Sequence, residues 1–163
     1  MANLFARFAG KVCEVFLPIK HDIFFGNEKS KIALCTLSSM DILEQVSKSD
    51  LMNNVALAAR LFSENNGIEK LLKYVLEHQN IKYIVLCGKD TKGHLPGQAL
   101  LALCKNGIDA NGRIIGALGK DPVLENVNKN DLDQFRKNVN MVDLISTTDI
   151  NKISSKVKSL VSG

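Results

Sequence analysis

The segment Ile81-Lys82-Tyr83-Ile84-Val85-Leu86-Cys87 most narrows what this chain can fold into. A near-continuous apolar, β-branched run of this length suits the middle of a parallel sheet buried on both faces. Gly88 ends it. Pro96 then fits the first turn of a helix, because it lacks an N–H that would go unpaired there. That helix carries Ala99, Leu100, Leu101, Leu103 and Cys104, and Gly107 is a natural stop. A buried strand, a short loop and a helix make one half of a parallel crossover unit.

The same alternation recurs along the chain. Ile32–Leu37 predicts a strand, followed by a helix from about Met40. Val55–Ala59 predicts a weaker strand, with helix as the rival because of its alanines. Residues 66–78 place Ile68, Leu71, Leu72, Val75 and Leu76 at helical spacing, with Asn65 or Asn66 as cap. Arg113–Ala117 predicts a strand, Asp131–Val139 a helix and Met141–Ile145 a strand. Thr147 or Thr148 is expected to cap a last helix carrying Ile150, Ile153, Val157, Leu160 and Val161. The expected fold is α/β and Rossmann-like, a mostly parallel sheet with helices on both faces. Ligands of such sheets sit beyond the carboxyl ends of the strands. Function is therefore sought after Leu37, Ala59, Cys87, Ala117 and Ile145.

Composition excludes several classes. At 163 residues, 45% hydrophobic and 23% charged, the chain is of ordinary globular make-up rather than disordered. No apolar run approaches the roughly 18 residues of a membrane span, and Arg7, Lys11 and Glu14 interrupt any signal-peptide core. The net charge of +4 comes from scattered lysines, with no Trp, which describes a solvated surface rather than a nucleic-acid stripe. Cys13, Cys35, Cys87 and Cys104 form no C-x-x-C or zinc spacing, and Cys35 and Cys87 read as buried hydrophobes in a reducing cytoplasm. The expected location is cytoplasmic. No Gly-x-Gly-x-x-Gly is present, so a dinucleotide is not expected. Residues 1–30 hold five of the seven Phe and are expected to form an extension packed on the 31–163 α/β domain. A homo-oligomer or partner contact is the other use for them.

The loop Gly88-Lys89-Asp90-Thr91-Lys92-Gly93-His94-Leu95-Pro96-Gly97-Gln98 carries the chemistry. Gly88 and Gly93 have P-loop spacing, but His94 and Leu95 stand where Lys and Ser or Thr would hold phosphate and magnesium. Backbone N–H groups at the helix start still leave one reading open: a flavodoxin-like domain holding a phosphorylated ligand at Gly88–Gly93. His94 offers an imidazole to cobalt, iron, nickel, copper or zinc. No second His, Cys or carboxylate has spacing that completes a protein-only site. A lone imidazole suits a metal already held by a macrocycle. It also suits a structural histidine bonding backbone in a tight loop, which spacing alone favours.

Four blocks together resemble the A subunit of tetrahydromethanopterin S-methyltransferase from methanogens. They are Ile32–Leu37 with Ser38; Glu64–Lys70; Leu86–Gly88 with Lys92–Leu95 and Gly97–Leu100; and Gly112–Ala117. The resemblance implies a corrinoid protein that carries a methyl group on the cobalt of a cobamide, either cobalamin or 5-hydroxybenzimidazolyl cobamide. It implies His94 as lower axial cobalt ligand, bound and released once per cycle. Cobalt would take the methyl from methyl-tetrahydromethanopterin or a related donor and pass it to a thiol such as coenzyme M. Catalysis would be shared with partner methyltransferase subunits. Thr36, Leu37, Ser38, Gly88, Gly93, Leu95, Pro96, Gly97 and Gln98 are the expected cofactor-binding residues, together with Gly116, Ala117, Leu118, Gly119 and Pro122. Other corrinoid carriers use Asp-x-His-x-x-Gly. Lys92 stands at the Asp position here, so the second ring nitrogen of His94 is expected to find backbone or water. The family's membrane subunit continues into a transmembrane helix, whereas this sequence ends at Gly163 after a polar stretch. A soluble homologue or a cytoplasmic domain is the expectation, and sodium transport is not carried over.

Overall fold

The computed structural model describes residues 22–162. Five strands form one sheet in the order β1-β3-β2-β4-β5: β1 (Ile23–Phe25), β2 (Ile32–Cys35), β3 (Leu57–Ala59), β4 (Tyr83–Gly88) and β5 (Asn140–Ile145). β2, β3, β4 and β5 run parallel, while β1 pairs antiparallel with β3 at one edge. The α/β architecture read from the sequence is thus the one observed. β1 lies in the Phe-rich extension; residues 1–21, with Phe5, Phe8 and Phe16, fall outside the described part.

The core follows from two-residue alternation on buried strands. Ile32 and Leu34 of β2, with Val85 and Cys87 of β4, face one layer of helices. There α1 (Met40–Ser47) contributes Ile42, Leu43 and Val46, and α5 (Ile150–Val161) contributes Ile153 and Val157. Ala33, Cys35, Ile84 and Leu86 face the other layer. That layer holds α2 (Asn66–Glu77), α3 (Pro96–Asn106) and α4 (Lys129–Asn138), through Ile68, Leu72, Leu100, Leu103, Leu132 and Phe135. Burial raises the thiols of Cys35 and Cys87 to about 12, so both are inert hydrophobes.

Two expectations are corrected. Arg113–Ala117 is not a strand of the sheet. It lies in the 107–128 connection, where only two isolated bridges form, Ile108 with Ile114 and Arg113 with Val123. Gly112 and Gly116 turn the chain there with φ of +79° and +84°, and the N–H of Ile114 donates to Pro122 within the same loop. Neither Thr147 nor Thr148 caps α5. Asp149 does, accepting from the N–H groups of Asn151 and Lys152, because the carboxylate stands immediately before the first helical residue. No helix among the described residues is long and apolar enough to cross a membrane.

The parallel strands run outward from β2, with β3 on one side and β4 on the other. The carboxyl ends of β2 and β4 therefore flank the point where strand order reverses, the place where open α/β sheets take their ligands.

Candidate functional site

Residues after β2 and β4 are tied together at this point. The N–H and hydroxyl of Ser38 both donate to the Lys89 carbonyl, and the Lys89 N–H donates to the Ser39 hydroxyl. Gly88 has φ +78°, and a Cβ on it would collide with Ser39 and the Thr36 carbonyl. Thr36 and Leu37 are fully buried, and the Thr36 hydroxyl has no hydrogen-bond partner among the described residues. Backbone strain collects on this rim: Leu37, Leu95 and Ser146 all adopt positive φ, at 53°, 48° and 73°.

Asp90 folds back over the start of α3. Its carboxylate accepts from the N–H groups of Gly97 at 3.0 Å and Gln98 at 2.9 Å. It does the work of an N-cap, since Leu95 at the cap position has no side-chain acceptor. These are the donors that a phosphorylated ligand would need. The Asp90 carboxylate already occupies them.

His94 stands at the rim with about half of its side chain exposed. Its Nδ1 lies 3.0 Å from one carboxylate oxygen of Glu64 and 3.2 Å from the other. Glu64 is completely buried and also accepts from the Asp121 N–H at 2.9 Å. Burial by itself would raise its pKa. The N–H groups of Asp121 and of Glu64 itself, with the His94 imidazole, outweigh that and hold it below the ordinary 4.5. An ionised carboxylate only accepts, so Nδ1 carries the proton. In the neutral ring Nε2 is then left with its lone pair, and it has no protein partner among the described residues. Also among the described residues, no three His, Cys, Asp or Glu side chains converge on a common point. The site thus offers one imidazole nitrogen, oriented by a buried carboxylate.

The 107–128 loop is held against the backbone of the His94 loop and against Glu64. The Gln98 side chain donates to the Gly116 carbonyl and accepts from the Leu118 N–H, both at 2.9 Å. The Lys120 N–H donates to the Gly93 carbonyl. Gly119 packs so tightly on the His94 carbonyl and Glu64 that any Cβ would collide. Glu69, on α2, accepts from the N–H groups of Glu125 and Asn126. Held in this way, Leu118 is 73% and Ile115 47% exposed. Two large apolar side chains of this loop are thus offered to solvent.

Comparison with known proteins shows the family. Residues 11–163 match the family described as the A subunit of tetrahydromethanopterin S-methyltransferase. The chain belongs to this family. It is 36% identical over 148 residues to the A subunit of the "Putative methyltransferase Mtx" of Methanosarcina barkeri, covering 91% of this chain and 71% of that one. It is 41% identical over 138 residues to the A subunit of the tetrahydromethanopterin S-methyltransferase of Methanocaldococcus jannaschii, covering 84% and 56%. The chain therefore spans little more than half the length of the latter protein. Both relatives are named as A subunits of methyltransferases.

Within the fold of this methyltransferase family, the sequence-derived candidates fall into three groups. His94, Gly93, Gln98, Gly116, Ala117, Leu118 and Gly119 come together at the rim. Ser38 and Gly88 join β2 to β4 beneath it. Leu37, Pro96, Gly97 and Pro122 are buried and Leu95 is partly so; a Cβ on Gly97 would press on Leu37 and Ile145. The expectation that backbone or water takes the second His94 nitrogen is corrected: Glu64 takes it. Lys92 leaves the usual carboxylate position empty, and a residue 30 positions upstream supplies the charge from beyond the end of β3. The signal was present, since a carboxylate just beyond a strand's carboxyl end stands where such sheets present function. Its pairing with His94 is a tertiary fact.

Proposed function

We propose that this domain binds a cobamide and serves as the methyl carrier between partner methyltransferase subunits, with His94 as the lower axial ligand of cobalt. The observation that carries this reading is the Glu64–His94 pair: a rim imidazole whose Nδ1 is engaged by a buried carboxylate and whose Nε2 has no protein partner among the described residues. The residues fit the group. A macrocycle brings its own equatorial ligands, so one protein nitrogen suffices. Gly93 leaves backbone open to a flat ring, since a Cβ there would meet only the Lys120 side chain, at 3.6 Å. Leu118, 73% exposed beside Gln98, supplies apolar surface for a corrin edge. When bound, the cobalt supplies the nucleophile that accepts a methyl group and later yields it to a thiol. Glu64 holds the imidazole in the tautomer that leaves Nε2 free to ligate. Gln98 and Gly119 keep the 107–128 loop against the His94 loop. The kinship with two differently named methyltransferases leaves the donor to the partners, with methyl-tetrahydromethanopterin the donor that the second name suggests.

Reconstitution with cobalamin tests the reading. Cobalt(II) EPR is expected to show a protein imidazole nitrogen, and nitrogen-15 labelling of histidine is expected to change the superhyperfine pattern. His94→Ala should abolish that change while far-UV circular dichroism stays the same. An unchanged pattern in the labelled native protein with cobalamin bound would remove His94 from cobalt.

A further inference from the structure

Residues 119–121 are fixed one after another against the segment that bears His94. A Cβ on Gly119 would collide with the His94 carbonyl and with Glu64. The Lys120 N–H donates to the Gly93 carbonyl at 3.2 Å. The Asp121 N–H donates to Glu64 at 2.9 Å, and the Asp121 carboxylate accepts from the Asn65 side chain at 3.2 Å. The backbone of Lys120 is thus held on both sides, and its side chain lies along Gly93. Its Cε and Nζ stand 3.6 and 3.9 Å from where a Cβ on Gly93 would be. A ligand that approaches the Gly93 backbone therefore meets this ammonium, next to His94.

The Lys120 ammonium has no ion pair among the described residues. The carboxylates on the segments around it are engaged elsewhere. Glu64 is buried against the His94 imidazole. Asp90 accepts from the N–H groups of Gly97 and Gln98, and Asp121 is turned to Asn65. Lys89 and Lys92, both exposed on the His94 loop, add charge of the same sign. The fold therefore keeps a cation without a counter-charge beside the imidazole.

A cobamide brings an anion to this place. Its nucleotide hangs as an arm from the lower face of the corrin ring, and the arm contains one phosphodiester. An imidazole that ligates cobalt from below displaces the base of that arm, so the arm lies on the protein's side of the ring. Phosphate oxygens accept strong charge-assisted hydrogen bonds, and Lys binds them as a point charge. Resting on the reading of His94 as cobalt ligand, we infer that Lys120 takes the phosphodiester of the cobamide's nucleotide arm. It makes the site selective for complete cobamides over corrinoids that lack the arm.

Cobinamide, the corrinoid without a nucleotide arm, separates this role from binding of the ring. Both cobalamin and cobinamide are titrated, as their cobalt(II) forms, into the whole chain at low ionic strength and followed by visible absorbance. Lys120→Gln is expected to weaken cobalamin binding about 3- to 10-fold, as for a charge-assisted hydrogen bond partly open to water, and to leave cobinamide within about twofold. Lys120→Arg keeps the charge and should retain most of the cobalamin affinity. Both variants keep the N–H that Gly93 uses, and the side chain is exposed, so circular dichroism should match the parent. Equal loss for both corrinoids, no loss for either, or a loss that Lys120→Arg shares in full would overturn the inference. None of these outcomes touches the reading of His94. That reading falls, and this inference with it, if the native chain takes up neither corrinoid.

Discussion

A buried carboxylate against a half-exposed imidazole separates two tasks between the two nitrogens of one ring. Glu64 accepts from Nδ1 and from the Asp121 N–H, so its charge is satisfied where water cannot reach it. Nε2 is thereby the nitrogen with the free lone pair. Long-range proton–nitrogen NMR should find the native ring protonated at Nδ1 near neutral pH. Glu64→Gln removes the charge, and its amide can donate as well as accept, so the tautomer preference should weaken. The same substitution should lower cobalamin affinity by roughly 10- to 100-fold, the usual loss when the partner of a metal-bound imidazole is removed. A native ring carrying its proton at Nε2 would refute the assignment.

At the scale of elements, α3 begins without a cap of its own. Leu95 occupies the cap position in the left-handed region, and Asp90 reaches the N–H groups of Gly97 and Gln98 from several residues further back. The loop that bears His94 is therefore closed by the helix it leads into. Asp90→Ala should cost about 1–2 kcal/mol, lowering the thermal midpoint by roughly 2–8 °C for a domain of this size. It should also loosen His94, visible as faster amide hydrogen exchange across residues 91–95. The opposite wall depends on side chains too. The 107–128 connection has little repetitive structure, and Glu64, Glu69 and Gln98 hold it through its backbone N–H and carbonyl groups. An unchanged midpoint and exchange pattern in Asp90→Ala would mean that packing alone shapes the loop.

For the whole molecule, these carboxylates couple site geometry to pH. Burial would raise the pKa of both Glu64 and Glu69. For Glu64 the hydrogen bonds from Asp121 and from its own N–H, with His94, hold it below 4.5; for Glu69 those from Asn126 and Glu125 do the same. A pKa depressed on folding contributes stability that is present above the unfolded value and lost as pH falls through the folded one. Denaturant midpoints should therefore hold near neutral pH and decline from about 4.5 downward. Glu69→Gln should be less stable at pH 7 yet lose less on acidification. A decline of equal steepness in Glu69→Gln would show that other carboxylates govern the acid limb.

The alternation of buried strands and amphipathic helices was legible in residues 31–161, because burial on both faces demands continuous apolar runs and helix packing demands a 3.6-residue period. The place of function was legible as well: a parallel sheet directs its loops to one rim, and His94 follows the most strand-like run in the chain. Arg113–Ala117 misled because β-branched content signals fit to a pleated surface, whereas its neighbours are loop groups supplied from a distance. β1 was missed because three residues carry no period, and only the open edge of β3 makes them a strand. Tertiary structure alone decided which groups meet. Glu64 and His94 are 30 residues apart, Gln98 and Leu118 are 20 apart, and Gly119 is required by a carbonyl from another loop. Local pattern records what each residue prefers to bury. It does not record which distant hydrogen-bonding group the fold will place beside it.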